Sequence, residues 1–110
     1  MANQFKKTMT TGIGTTPTEI YATDASTRAT VIGINIANIT ESSIYIDLIF
    51  TDETAQTGYI TKSTEVPPGT ALAAMGGDQK LVLEPNNSIS LTSDTAASVD
   101  VIVSSLEIIT

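Results

Sequence analysis

Apolar and polar side chains alternate along much of this chain, and turn-forming residues cut the alternation into strand-sized lengths. Ile44, Ile46, Leu48 and Phe50 make the longest strict run. A period of two puts such a set on one face of a half-buried sheet, so a strand is expected here with Tyr45, Asp47 and Ile49 on its other face. Nearer the C-terminus, Leu81 with Leu83, Ile89 with Leu91, and Val99, Val101 and Val103 repeat the pattern. Between these runs stand Pro67-Pro68-Gly69, Gly76-Gly77-Asp78 and Glu84-Pro85-Asn86-Asn87. Each supplies the fixed or positive φ that a chain reversal needs.

The remaining segments fit the same scheme less cleanly. Residues 29–39 alternate, with Ile32, Ile34 and Ile36 expected on one face and Val31, Gly33, Asn35 and Ala37 on the other. Residues 15–22 read as a short strand that accommodates Pro17 where a missing N–H does no harm. Residues 71–75 lie between a Pro-Gly and a Gly-Gly turn, too short a span for a stable helix, so a short strand or irregular connection is expected. In the last strand the phase slips from Val99, Val101 and Val103 to Leu106 and Ile108, which predicts a β-bulge near Ser104-Ser105. Residues 1–11 are polar with scattered Phe5 and Met9, and read as an N-terminal arm or edge strand ahead of a domain over residues 12–110. Many short strands with regular punctuation define an all-β fold, a single antiparallel β-sandwich of which a jelly-roll-like winding is one form.

Composition narrows the function. The 110 residues suffice for one core of ordinary size. With 41% hydrophobic, 15% charged and 5% aromatic residues and abundant Ser and Thr, strands are favoured and the polar surface is built from hydroxyls. A net charge of −7 argues against nonspecific affinity for nucleic acid or an anionic membrane. No apolar run approaches the roughly 20 residues of a membrane-spanning helix, and no apolar segment follows the lysines in the manner of a signal peptide, so a soluble protein is expected.

Without His or Cys, the usual nucleophile–base pairs, Cys/His zinc sites and disulfides cannot be built. No catalytic site, cofactor or metal is expected. Asp52-Glu53, with Asp47 near in sequence, could act as paired carboxylates or as hard oxygen ligands. Neighbouring loop acids are ordinarily solvated, and their spacing is not that of a calcium loop. Gly12-Ile13-Gly14 starts like a dinucleotide fingerprint, but the third glycine is missing and Pro17 follows.

The order of several short motifs is more specific. TGIGTTPTEIY from Thr11, the Ala37-Asn38 dipeptide, the Pro-Gly corner, KLVLE from Lys80 with its turn to Ser88-Ile89, and the closing SSLEI together resemble a class of small tailed-bacteriophage virion proteins. The turn before Ser88 reads Pro85-Asn86-Asn87 where that pattern has Gly-Asp.

The resemblance implies a non-enzymatic structural protein without catalytic residues. It would be a capsid decoration (cement) protein on the virion surface, synthesised in the host cytoplasm, or else a neck, portal-proximal or tail component. Its partners would be the major capsid protein, other virion proteins and its own copies, with a trimer suited to local threefold positions. A carbohydrate- or receptor-binding module is the rival, weakened by the scarcity of aromatic rings, and a carboxylate enzyme is remoter still. Candidate interface residues are Phe5, Lys6, Lys7 and Met9 in the N-terminal segment, and Tyr45 and Ile49 on the face opposite the Ile44 to Phe50 core set.

Overall fold

The computed structural model describes residues 2–75 and 80–109, and the Gly76-Gly77-Asp78 turn expected from the sequence lies outside them. The described residues form strands and turns with no helix: β1 (Ala2–Ile13), β2 (Thr18–Ala22), β3 (Thr27–Asn38), β4 (Ile44–Thr51), β5 (Thr57–Val66), β6 (Ala71–Met75), β7 (Leu81–Leu83), β8 (Ser88–Ser93) and β9 (Val99–Ile109). Two antiparallel sheets result. One runs β1-β9-β3-β6, with β7 also paired to β3, and the other runs β2-β8-β4-β5.

The pairings are nested. β4 pairs with β5, β3 with β6 and β7, β2 with β8, and β1 with β9. This is a long hairpin, its tip at the Asp52 turn, rolled up until β9 meets β3 and β8 meets β4. The result is a jelly roll, a form that antiparallel chains use to limit open sheet edges. β6 and β7 act as two segments of one strand, since Ile34 to Ala37 face β6 and Ala29 to Val31 face β7.

The inner faces meet in one core. Ile34, Ile36, Ile44, Ile46, Leu48, Ile89, Leu91, Val99, Val101 and Val103 are buried, with Ile20 and Val66 beside them. Burial of each such side chain contributes about 1.5–3 kcal/mol. The alternation in β4, β8 and the first half of β9 therefore carries the core as the sequence predicts.

Two expectations fail, and for one linked reason. The register between β3 and β9 shifts between Val31 and Gly33, so Ile32 is the extra residue of a bulge and turns outward, while Val31 takes the buried side with Ile34 and Ile36. The bulge predicted at Ser104-Ser105 is absent: β9 keeps an unbroken register with β1 from Val101 to Ile109. It thus buries Ser105 and Glu107 and turns Leu106 and Ile108 to the other face.

Glu107 tolerates that position because its partners are supplied. Tyr21 donates its hydroxyl to Oε2 at 2.5 Å, Gln4 donates Nε2 to Oε1 at 3.1 Å, and Lys6 Nζ lies 3.6 Å from Oε2. Burial alone would raise the carboxyl pKa, but these donors outweigh it and hold Glu107 below its ordinary 4.5. Burial, and then the bond to Glu107, push the Tyr21 phenol up to about 12.

Buried amides close the two ends of the sandwich. Asn38 donates to the carbonyls of Ser42 and Val66 and accepts from the Thr40 amide and hydroxyl, tying the β3–β4 loop to the end of β5. Asn87 accepts from the Glu84 amide and donates its side-chain amide to Glu53, while its backbone N–H donates to the Thr23 hydroxyl oxygen and its backbone carbonyl accepts from the Thr23 amide. At the Pro67 corner Gly69 takes φ +70 and Thr70 N–H returns to the Pro67 carbonyl, which is the geometry of a type II turn.

Two outcomes follow for stability. Tyr21→Phe should lower the unfolding free energy at neutral pH by about 1–3 kcal/mol, since it removes a donor from a buried carboxylate. Because the folded pKa of Glu107 is depressed, its contribution is full above 4.5 and disappears as pH falls through the lower folded value. Urea unfolding across an acid series should show this loss, and Glu107→Gln should lack that part of the pH dependence. Deletion of residues 2–11 strips β1 from β9 and removes Gln4 and Lys6 from Glu107, so the melting temperature should fall by several degrees.

Candidate interaction surface

Strand parity and cross-strand register decide what each outer face carries. On the β1-β9-β3 sheet, Phe5 stands opposite Leu106, Leu106 opposite Thr30, and Thr30 opposite Val82. A second row runs from Met9 through Ile102 to Asn35. Phe5 (79% exposed), Met9 (63%) and Val82 (64%) project into solvent, and Ile32 and Ile102 are exposed as well. Together they give one side of the sandwich an apolar band at strand positions, where a polar surface would be expected.

The other outer face has a different character. Tyr45, Asp47 and Ile49 of β4 lie beside Glu65 and Tyr59 of β5 and beside Ser90 and Thr92 of β8. Tyr45 and Tyr59 are exposed and Ile49 is half-buried. The ammonium of Lys62 sits 5.0 Å from the Tyr59 ring centroid, within range of a cation–π contact.

The six sequence-based candidates therefore do not form one surface. Phe5, Lys7 and Met9 share the outer face of β1. Lys6 points the other way, to Glu107. Tyr45 and Ile49 stand on the opposite side of the sandwich. Ile49 also faces water less than its parity implies, because it is flanked by Tyr59 and Ser90 on the neighbouring strands.

Sequence reasoning missed Ile32, Val82 and Ile102. The signal for Val82 and Ile102 was the unbroken apolar triplets Leu81-Val82-Leu83 and Val101-Ile102-Val103. In a sheet with one covered face, the middle residue of such a triplet must point outward.

The Asp47, Asp52 and Glu53 carboxylates singled out in the sequence are committed to structure. Asp52 accepts from the Thr54 amide and hydroxyl and the Gln56 amide, and the Thr54 hydroxyl above all holds it below the usual carboxylate range. Glu53 accepts from Asn87. A cleft of about 300 Å³ lined by Lys6, Ala22, Thr23, Asp24, Thr27, Glu107 and Ile109 opens beside the Glu107 cluster. Asp24 is held down mainly by the Thr27 hydroxyl, then by the Ser26 amide. Both acids of this cleft are thus stabilised as carboxylates, the wrong direction for a general acid at neutral pH. Among the described residues no three acidic side chains converge as a metal site.

No protein-family model matches the chain, and no curated protein matches it. Solved structures of similar fold include a chain of the Bacillus endospore appendages, which form a family of disulfide-linked pili. It is 11% identical at a TM-score of 0.57, over 98% of this chain and 87% of that one. Another is a chain of the T13 IBDV viral particle, 6% identical at a TM-score of 0.58, over 96% of this chain but 30% of the viral one. At such identities the likeness is one of fold.

The double substitution Phe5→Ser with Met9→Ser should leave the stability within about 0.5 kcal/mol, since both side chains are exposed. It should also reduce the binding of an apolar fluorescent dye. Denaturant melts and dye titration check the two halves of this expectation.

Proposed function

We propose that this chain is a non-enzymatic structural subunit of a virion, used in repeated copies, and that its station is the capsid surface, where it decorates the shell against the major capsid protein. The observation that carries the reading is the apolar band of Phe5, Met9, Ile32, Val82 and Ile102, which the fold leaves uncovered on one sheet. Exposed apolar area of this kind marks a contact surface. A jelly roll shared with a chain of a viral particle supports the same reading, as does the order of motifs that resembles small tailed-phage virion proteins. Because the sequence has no cysteine, its contacts would be noncovalent and would gain strength from repetition.

A second reading is a filament subunit. It is favoured by the endospore appendage chain, whose length this chain matches almost throughout. The disulfide links of those pili have no counterpart in a sequence without cysteine.

Imaging of virus particles carrying a labelled copy of this chain separates the possibilities. Label over the whole shell is the expected result. Label at a single vertex would move the chain to the neck or tail, and label on filaments apart from particles would establish the second reading.

A further inference from the structure

The two outer faces differ in charge as well as in shape. On the strands of the first sheet the outward charged residues are Lys7, Arg28 and Asp100, and Asp100 is engaged by the Gly12 amide at the sheet end. On the second sheet they are Glu19, Asp47 and Glu65, with Asp47 engaged by the Ser63 amide and Lys62 held over Tyr59. One face is thus apolar and basic, and the other is acidic with two exposed tyrosines.

We propose that copies of this chain stack through unlike faces, the outer face of the β1-β9-β3-β7 sheet of one copy against the outer face of the β2-β8-β4-β5 sheet of the next. The proposal deepens the reading of the chain as a repeated subunit and rests on it. Charge selects the pairing. Two like faces brought together would set Lys7 and Arg28 against their own copies, or Glu19 and Glu65 against theirs, and facing like charges oppose association. Unlike faces set Lys7 and Arg28 against Glu19 and Glu65, and lay Phe5, Met9 and Val82 on Tyr45, Tyr59 and Ile49.

Shape agrees with this choice. Both faces belong to antiparallel sheets with the same hand of twist, and aligned face-to-face packing is the ordinary way such surfaces meet. A contact between different patches is heterologous, so it propagates into a ring or a row of subunits, whereas a like-face contact ends at a dimer. A row is also what a filament requires, and on a shell it would leave the contact with the capsid protein to surfaces other than the apolar band.

The test uses two variants of the full chain, each checked by circular dichroism and thermal melting. Phe5→Ser with Lys7→Ser disables the first face, and Tyr59→Ser with Glu65→Lys disables the second. Sedimentation of the wild type should show species larger than a dimer as concentration rises. Each variant alone should weaken association by at least about tenfold. An equal mixture of the two should form a dimer and stop there, because one intact face of each kind remains.

A Tyr59→Ser, Glu65→Lys chain that still dimerises by itself would overturn the proposal in favour of like-face pairing, and a mixture that stays monomeric would overturn it outright. A wild type monomeric at high micromolar concentration would also overturn it, while leaving particle labelling to decide the decoration reading separately. Should either variant misfold, Val82→Ser and Tyr45→Ser on the same two faces serve in its place.

Discussion

The ladder between β3 and β9 is the constraint on which the remaining structure depends. It joins Thr27 through Asn38 to Ile109 through Val99, so an early segment cannot complete its sheet until the end of the chain arrives. Closing so long a loop costs entropy before any contact repays it, and nonlocal pairing of this kind makes folding slow. Once formed, the ladder offers β9 as a template for β1 and β3 as a template for β6 and β7. The second sheet is closed in the same way by β4 and β8, through a shorter ladder from Ile46 to Thr51.

That ladder also explains the polar row inside the sandwich. β9 holds its register against β1 across Ser105 and Glu107, and β3 absorbs the mismatch with a bulge at Ile32. The bulge returns Val31 to the core side, but it leaves Glu107 under the sheet. A carboxylate there would be severely destabilising if unpaired. Tyr21 from β2, with Gln4 and Lys6 from β1, supplies the donors. Since Gln4, Lys6, Thr8 and Thr10 are the residues β1 turns inward, that strand is held chiefly by its backbone ladder and this cluster, with Ile13 a buried apolar anchor at its end.

The same parity that hides polar groups inside drives apolar groups out. Each outward side chain on β9 is the neighbour of a buried one, so Ile102, Leu106 and Ile108 surface because Val101, Val103, Ser105 and Glu107 do not. The outcome is a scaffold with two chemically distinct outer faces. A jelly roll by itself specifies no function. In this chain the distinguishing information sits in what the two faces expose.

The sequence by itself determined the fold class, the core of β4, β8 and the first half of β9, and the turns at Pro67 and Asn86, because period-two alternation and φ restrictions are local properties of a strand or turn. Its motif order resembles that of small tailed-phage virion proteins, while the solved structures of similar fold share the fold alone. The tertiary structure decided the nested strand order, the bulge at Ile32 in place of one near Ser104, and the separation of Phe5 and Met9 from Tyr45 and Ile49. None of these is local. A bulge can relieve a register conflict on either partner strand, and whether Glu107 can be buried depends on donors that arrive from β1 and β2. Which apolar residues share a face is known only when neighbouring strands are known, since parity within a strand says nothing about the sheet it joins.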